Sequence, residues 1–163
     1  MIILGIDPGY GTIGYGVIEK NGSKIVPTDY GVIQTPKDEG IAARLAMIYD
    51  TLNVLIKKFN PDEIAVEELF FNTNITTGIK VAQARGVILL SAVHACGRLY
   101  EYTPLMVKQS LTGNGRADKK QIQYMVKMML GLKSEPKPDD AADALAIAIC
   151  HANTCGFTQR VLN

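Results

Sequence analysis

The chain has 163 residues, of which 47% are hydrophobic and 20% charged, and its formal net charge is +1. This balance is typical of a soluble globular protein, excludes an intrinsically disordered chain, and predicts a single domain over residues 1–163. No apolar stretch approaches the roughly 20 residues of a transmembrane helix, and the N-terminus lacks the basic leader of a signal peptide. We therefore expect a cytoplasmic protein whose three cysteines are reduced.

Three strands are predicted in the N-terminal third of the chain. They are Ile2–Asp7, Gly14–Glu19 and Lys24–Thr35. The Asn21-Gly22 dipeptide is typical of a hairpin turn, and the connection through Pro8–Thr12 is short enough to join antiparallel neighbours. The sheet is therefore expected to begin with three antiparallel strands.

A helix and a returning strand follow. Apolar residues recur at helical spacing from Ile41 to Phe59, and Pro61 marks the end of that helix. The segment Glu63–Leu69 is predicted as the next strand. A helix between two strands indicates a crossover that returns the chain to the same sheet.

The C-terminal half alternates helices with short connections. The small residues of its first helix allow close backbone approach, so that helix is expected to be either central or part of a dimer interface. The predicted elements are a polar loop at Asn72–Gly78, a helix at Ile79–Cys96, a strand at Leu99–Pro104, a loop at Gly113–Gly115, a helix capped by Asp118 that runs to Leu130, a linker at Ser134–Pro138 and a final helix capped by Asp139. The whole order predicts an α/β domain with a mixed sheet.

Charge is distributed unevenly along the chain. Between residues 72 and 133 there are nine basic residues and only two acidic ones, which gives +7 there and leaves −6 for the remainder. Such asymmetry is typical of a surface that binds a polyanion, combined with acids that cluster elsewhere. Solvated helix faces would also explain some of these lysines, so charge alone does not decide for nucleic acid.

Four acids lie where simple solvation does not explain them. Asp7 ends a buried strand, Glu67 lies in a second strand that should be central, and Asp140 and Asp143 share one face of the last helix. Clustered carboxylates repel and protonate unless a cation holds them. Because only oxygen ligands are offered, we expect Mg²⁺ or Mn²⁺, and with the basic segment this predicts metal-assisted cleavage of a phosphodiester, with two ions.

Each acid also has a structural interpretation. Asp7 could merely cap its turn, and acids in a first helical turn are ordinary partners of the helix dipole, which is the interpretation favoured for Asp139. Strand alternation allows only one of Glu67 and Glu68 to face the site. A zinc site is the less favoured alternative, because the candidate ligands have no zinc-finger spacing and lie in Ala-rich helical stretches. Those candidates are His94, Cys96, Cys150, His151 and Cys155.

In its ordered motifs the chain resembles the RuvC family of Holliday junction resolvases, within the ribonuclease H-like superfamily. The motifs are Ile3-Leu-Gly-Ile-Asp-Pro-Gly9, Gly14-Tyr-Gly-Val17, Val66-Glu67 ahead of Phe70, Gln83-Ala-Arg-Gly86, Val107-Lys-Gln109 and Asp140-Ala-Ala-Asp-Ala-Leu-Ala-Ile147. Each motif is weak alone, but together they cover nearly the whole chain in the family's order.

The resemblance implies a role for several residues. It makes Asp7, Glu67, Asp140 and Asp143 the catalytic metal ligands, with Asp7 bridging two ions. It places basic residues beside the scissile phosphate at Lys108 and at Lys119, although the choice between Lys119 and Lys120 stays open, and an aromatic contact with junction bases at Phe70. The further expected DNA contacts are Lys80, Arg85, Arg116 and Lys120.

The resemblance also implies an architecture and partners. We expect a ribonuclease H-like, mixed five-stranded sheet, with three antiparallel strands followed by parallel ones, flanked by helices on both faces. A homodimer would nick two strands of like polarity symmetrically in a four-way DNA junction, with some preference for a short thymine-containing sequence, and would work with the RuvA–RuvB branch-migration complex. The expected setting is the bacterial cytoplasm, at the nucleoid during DNA repair.

Three alternatives remain at this point. The segment Asp7–Gly14 resembles the first phosphate loop of the actin and sugar-kinase superfamily; those proteins need two such domains, and this chain supplies one. A second alternative is a junction-binding protein without catalysis. A third is a related ribonuclease H-like nuclease that acts on RNA processing intermediates.

Overall fold

The computed structural model describes residues 1–68, 75–96 and 98–154. Within these residues five strands form one sheet in the order β3-β2-β1-β4-β5. The strands are β1 (Ile2–Asp7), β2 (Thr12–Asn21), β3 (Lys24–Gln34), β4 (Glu63–Glu67) and β5 (Leu99–Tyr102).

The sheet is mixed, as predicted. β1 pairs antiparallel with β2, and β2 with β3, whereas β1 pairs parallel with β4, and β4 with β5. The turn between β2 and β3 contains Gly22 at a φ of 62°, a left-handed conformation that glycine adopts without a steric penalty. The predicted hairpin at Asn21-Gly22 is therefore confirmed.

Helices cover both faces of the sheet, which is also as predicted. α1 and α2 pack on each other on one face, while α5 lies across β1 and β2 on the other face and carries α3 and α4. No helix in the described parts of the chain is long and apolar enough to span a membrane. The helices are α1 (Ile41–Phe59), α2 (Ile75–Cys96), α3 (Pro104–Thr112), α4 (Lys119–Leu130) and α5 (Asp139–Thr154).

Alternation along β1 divides its side chains between two apolar cores. Leu4 and Ile6 point towards the core shared with α1 and α2, while Ile3 belongs to the core beneath α5. Because side chains of a strand alternate, Asp7 lies on the same face as Ile3. The carboxylate of Asp7, at the end of β1, therefore lies on the side of the sheet that α5 covers.

The helix α3 is absent from the sequence prediction, which extended a strand from Leu99 to Pro104. The strand ends at Tyr102, and Thr103 caps the new helix by accepting a hydrogen bond from the backbone N–H of Met106, with Pro104 in the first turn. Proline is well tolerated at that position because its missing N–H would have no helical partner. The Thr-Pro pair is the signal that could have located α3.

Two other predicted boundaries are wrong. The loop predicted at Asn72–Gly78 is helical from Ile75 onward, with residues 72–74 outside the described residues. Threonine and glycine are weak helix formers, but propensity is overridden when a long helix continues behind them. Asp139 is the first residue of α5, so it lies inside the first turn rather than before it.

Candidate active site

Glycines on the sheet let α5 approach the end of β1 very closely. Gly14 pairs with Asp7 across the β1–β2 ladder, and a Cβ atom on Gly14 would lie 2.0 Å from the carbonyl oxygen of Asp140. A Cβ on Gly5 would likewise lie 2.2 Å from the carbonyl oxygen of Ala144. No other residue type fits such contacts, so these two glycines bring the first turns of α5 against the end of β1.

Glu67 reaches the same place from the neighbouring strand. In β4, Ile64 and Val66 face the α1–α2 core, while Glu63 hydrogen-bonds His151 of α5. Glu67 has the parity of Glu63 and therefore also faces α5. Of the two adjacent acids, Glu67 is thus the one on the site's side of the sheet, as its motif position predicted.

Electrostatic coupling shows that the four acids are neighbours. Burial raises the pKa of Asp7 from 3.8 to about 8, with further contributions from the charges of Glu67, Asp143 and Asp140. Burial likewise raises the pKa of Glu67 to about 7, followed by the charge of Asp143 and opposed by a hydrogen bond with Asp7. The pKa of Asp143 is raised by burial as well. All four predicted carboxylates therefore share one electrostatic environment.

Two predicted lysines lie at this cluster. The Nζ of Lys119, in the first turn of α4, is 3.0 Å from Asp143 Oδ2 and 3.6 Å from Asp139 Oδ2. Lys108 of α3 is close enough that its charge lowers the pKa of Glu67. Lys120 is exposed and makes no such contact among the described residues, so Lys119 is the one of the two adjacent lysines that lies at the carboxylates.

The donor set suits a hard divalent cation. The four side chains offer only carboxylate oxygens, which Mg²⁺ and Mn²⁺ prefer. Burial and then repulsion between the acids raise the pKa of Asp7 and of Glu67, and a bound cation would favour their ionised forms. In the described part of the chain, no three Asp, Glu, His or Cys side chains are already spaced to hold a metal ion. Binding an ion at this cluster would therefore require side-chain rearrangement.

The other predicted DNA contacts are dispersed. Arg116 is exposed in the turn before α4, and Lys80 is exposed on α2, on the opposite face of the sheet from α5. Arg85 forms an ion pair with Glu101 of β5 and does not join the cluster around Asp7. Phe70 lies outside the described residues, so its predicted stacking on bases stays a prediction.

A buried polar network anchors the other end of α5. His151 is fully buried, and its Nε2 and Nδ1 lie 2.7 Å from Glu63 Oε2 and from the Tyr102 hydroxyl, respectively. Burial lowers the pKa of His151, so the neutral ring donates from Nε2 to the carboxylate and accepts at Nδ1 from the hydroxyl. Sequence reasoning considered His151 only as a zinc ligand and missed this role in fixing α5 on β4 and β5.

Within the described residues, no group of three His, Cys, Asp or Glu side chains is spaced to hold a metal ion, zinc included. Cys150 is a free, buried thiol whose pKa burial raises to about 11, so it packs as a small, protonated core residue. Cys155 lies outside the described residues. The prediction that these are mostly small buried helix residues holds for Cys150.

Comparison with known proteins identifies the family. The model of the family described as crossover junction endodeoxyribonuclease RuvC matches residues 3–151. This chain belongs to the RuvC family. The resemblance inferred from the ordered motifs is thereby confirmed, as is the expected ribonuclease H-like fold.

Individual relatives align with this chain over nearly their whole length. The RuvC of Desulfitobacterium hafniense is 55% identical over 99% of this chain and 98% of its own, and that of Clostridioides difficile is 54% identical over 100% and 96%. Thermus thermophilus RuvC, solved in complex with a Holliday junction substrate, is 37% identical, covers 99% of both chains and superposes with a TM-score of 0.93.

Proposed function

We propose that this protein is a crossover junction endodeoxyribonuclease that resolves four-way DNA junctions in recombination and repair. The observation that carries the proposal is the convergence of Asp7, Glu67, Asp140 and Asp143 at the end of β1, in a chain of the RuvC family. The Thermus relative was solved with a Holliday junction substrate, which supports the same substrate class here.

We further propose that the four carboxylates hold two Mg²⁺ ions, for which Mn²⁺ can substitute. When bound, such ions supply Lewis-acid activation of the attacking water and stabilise charge on the leaving oxygen of a phosphodiester. Asp7 would be the central ligand of the cluster, because its carboxylate is coupled to each of the other three. The same cluster would repel DNA without positive charge beside it.

Lys108 and Lys119 supply part of that charge from the chain itself. Lys119 already neutralises Asp143 at 3.0 Å, and the charge of Lys108 acts on Glu67. Both lysines therefore lie where a phosphate approaching the acids would pass. We propose that they hold the scissile phosphate in register with the carboxylates, which orients the backbone for attack.

We propose a homodimer whose two sites nick strands of like polarity symmetrically and leave ligatable ends. Support comes from α2, where Ile79, Leu90 and Val93 are 55%, 50% and 45% exposed and, with Gly86, fall on one stripe of the helix. An apolar stripe of this kind is suited to a second copy of the chain. Cooperation with the RuvA–RuvB complex in the bacterial cytoplasm belongs to the same proposal.

The decisive experiment compares a synthetic four-way junction with linear duplex of the same sequence in Mg²⁺. We expect paired nicks in the junction and intact linear duplex. Asp7→Asn should lower the cleavage rate by at least about 100-fold, since several kcal/mol of transition-state stabilisation depend on the ligands, while junction binding persists. Asp38→Asn, which changes an exposed acid in the turn before α1, is the matched control.

Three results would contradict the proposal. Equal cutting of both substrates would remove junction specificity, and junction binding without cleavage would favour a binding protein. Preferential cutting of structured RNA would favour a different ribonuclease H-like nuclease.

A further inference from the structure

Arg44 is a buried cation that has no carboxylate partner in the part of the chain that the structure describes. It lies in the first turn of α1 and is only 7% exposed. Its Nε donates to Thr35 Oγ1 at 2.8 Å and its Nη2 to the carbonyl oxygen of Tyr10 at 3.2 Å. No acidic side chain in residues 1–68, 75–96 and 98–154 forms an ion pair with it. Buried charges are normally paired, so within the described residues Arg44 lacks the counter-ion that its burial calls for.

The two neutral hydrogen-bond partners of Arg44 connect it to the loop that follows Asp7. The guanidinium carbon lies 3.6 Å from the centre of the Tyr10 ring, and Tyr10 comes three residues after Asp7. Thr35, at the end of β3, also donates its backbone N–H to the carbonyl oxygen of Gly11 at 3.0 Å. Arg44 is therefore held against the loop beside the candidate active site.

The Arg44 guanidinium has N–H groups that its hydrogen bonds to Thr35 and Tyr10 do not use. Its hydrogen bonds to Thr35 and Tyr10 use Nε and Nη2, and no described residue accepts a hydrogen bond from Nη1. Nη1 is also not among the fully buried atoms that lack a partner. An arginine presents five N–H groups in a planar fork that matches the oxygens of a phosphate. The free edge of Arg44 thus remains available to an anion.

Lys80 brings a second positive charge to the same ring. Its Nζ lies 5.5 Å from the centre of the Tyr10 ring, and the side chain is exposed on α2. Two cations around one aromatic ring repel each other, and an anion that touches both relieves the repulsion. Arg85, on the same helix, differs because Glu101 neutralises it.

These cations complement the lysines on the other side of the sheet. Asp7, Lys108 and Lys119 belong to the α5 side, whereas Arg44 and Lys80 come from α1 and α2. A nucleic acid strand that crosses the end of β1 would therefore meet positive charge on both sides of the acids. We propose that Arg44 and Lys80, arranged around Tyr10, bind a backbone phosphate of the DNA strand that passes the active site. This inference rests on the proposed function and adds a contact to it.

The test measures junction binding against salt, in EDTA so that no cleavage occurs. Each lost phosphate contact should make the negative slope of log K against log[KCl] shallower by about 0.9. Between about 50 and 200 mM KCl, the binding constant of such a variant should therefore fall by roughly 3.5-fold less than that of the wild type. We expect this reduction for Arg44→Gln and for Lys80→Gln. Lys24→Gln, at the hairpin on the far end of the sheet, should match the wild type.

A purely structural role for Arg44 gives a different pattern. Arg44→Gln would then lower the melting temperature and leave the salt slope unchanged. Arg44→Lys keeps the charge but loses the fork, so in our proposal it restores the slope even where stability falls. The exposed Lys80 provides a variant whose folding is not in question.

The outcomes separate the two proposals. Wild-type binding with unchanged slopes in Arg44→Gln and Lys80→Gln overturns this inference and leaves the proposed function standing. Failure of the wild-type protein to bind the junction overturns both.

Discussion

The buried carboxylate of Asp7 should make the metal-free protein less stable as pH rises. Its pKa is 3.8 in the unfolded chain and about 8 in the folded one, so the folded state holds a proton that the unfolded state releases. The resulting stabilisation is complete below about pH 4 and is lost progressively up to about pH 8. Replacing Asp7 with asparagine removes this titration and keeps the size of the side chain.

The magnitude follows from the difference between the two pKa values. At pH 7 the unfolded carboxyl is ionised and the folded one is still largely protonated, so the upper bound on the lost stability is about 4 kcal/mol, at 1.36 kcal/mol for each pH unit above 3.8. We expect Asp7→Asn to gain about 2–4 kcal/mol at that pH, which for a chain of this size raises the melting temperature by roughly 5–15 °C. An inactive variant would then be more stable than the active protein.

The assay is thermal unfolding in EDTA between about pH 5 and pH 8, with Asp38→Asn as the control. Wild type and control should lose stability along the same curve, whereas Asp7→Asn should be flatter. Adding Mg²⁺ at about pH 8 should stabilise the wild type and have less effect on Asp7→Asn, because in the proposed function the ion binds the folded site and not the unfolded chain. Identical pH profiles for the wild type and Asp7→Asn would refute the conclusion that Asp7 is buried among other acids.

Two further variants probe the architecture around the site. Gly14→Ala places a Cβ atom 2.0 Å from the carbonyl oxygen of Asp140 and should therefore displace α5, which should lower both the cleavage rate and the melting temperature, the latter by more than about 5 °C. Gly40→Ala, whose Cβ meets nothing within 4 Å, is the control. Equal effects of the two substitutions would contradict the conclusion that Gly14 permits the close approach of α5. Lys119→Ala should slow junction cleavage by at least about tenfold, while Lys120→Ala should not, because of these two lysines only Lys119 contacts a site carboxylate. A lower single-turnover rate for Lys120→Ala than for Lys119→Ala would show that the wrong lysine is assigned.

Much of the fold was predictable because its signals are local. The hairpin at Asn21-Gly22, the amphipathic pattern of α1 and the Asp118 cap with Gly131 after α4 each depend on residues close together in the chain. α3 was missed because a nine-residue helix after a short strand has too few turns to display a period. The start of α2 was missed because Thr and Gly indicate a loop when only local propensity is considered.

The sequence by itself determined the residue types of the candidate site: four carboxylates in strand and helix positions, a basic segment, and motifs in the order of the RuvC family. Only the tertiary structure decided which neighbours face one another. Side-chain alternation in β4 places Glu67 on the α5 side of the sheet. The contact with Asp143 shows that Lys119 lies at the carboxylates, and Arg85 instead pairs with Glu101. The position of Arg44 beside Tyr10, with no ion-pair partner among the described residues, also could not be predicted from the sequence. The physical reason is that side-chain identity is local, whereas burial, distance and pairing depend on segments that are far apart in the chain.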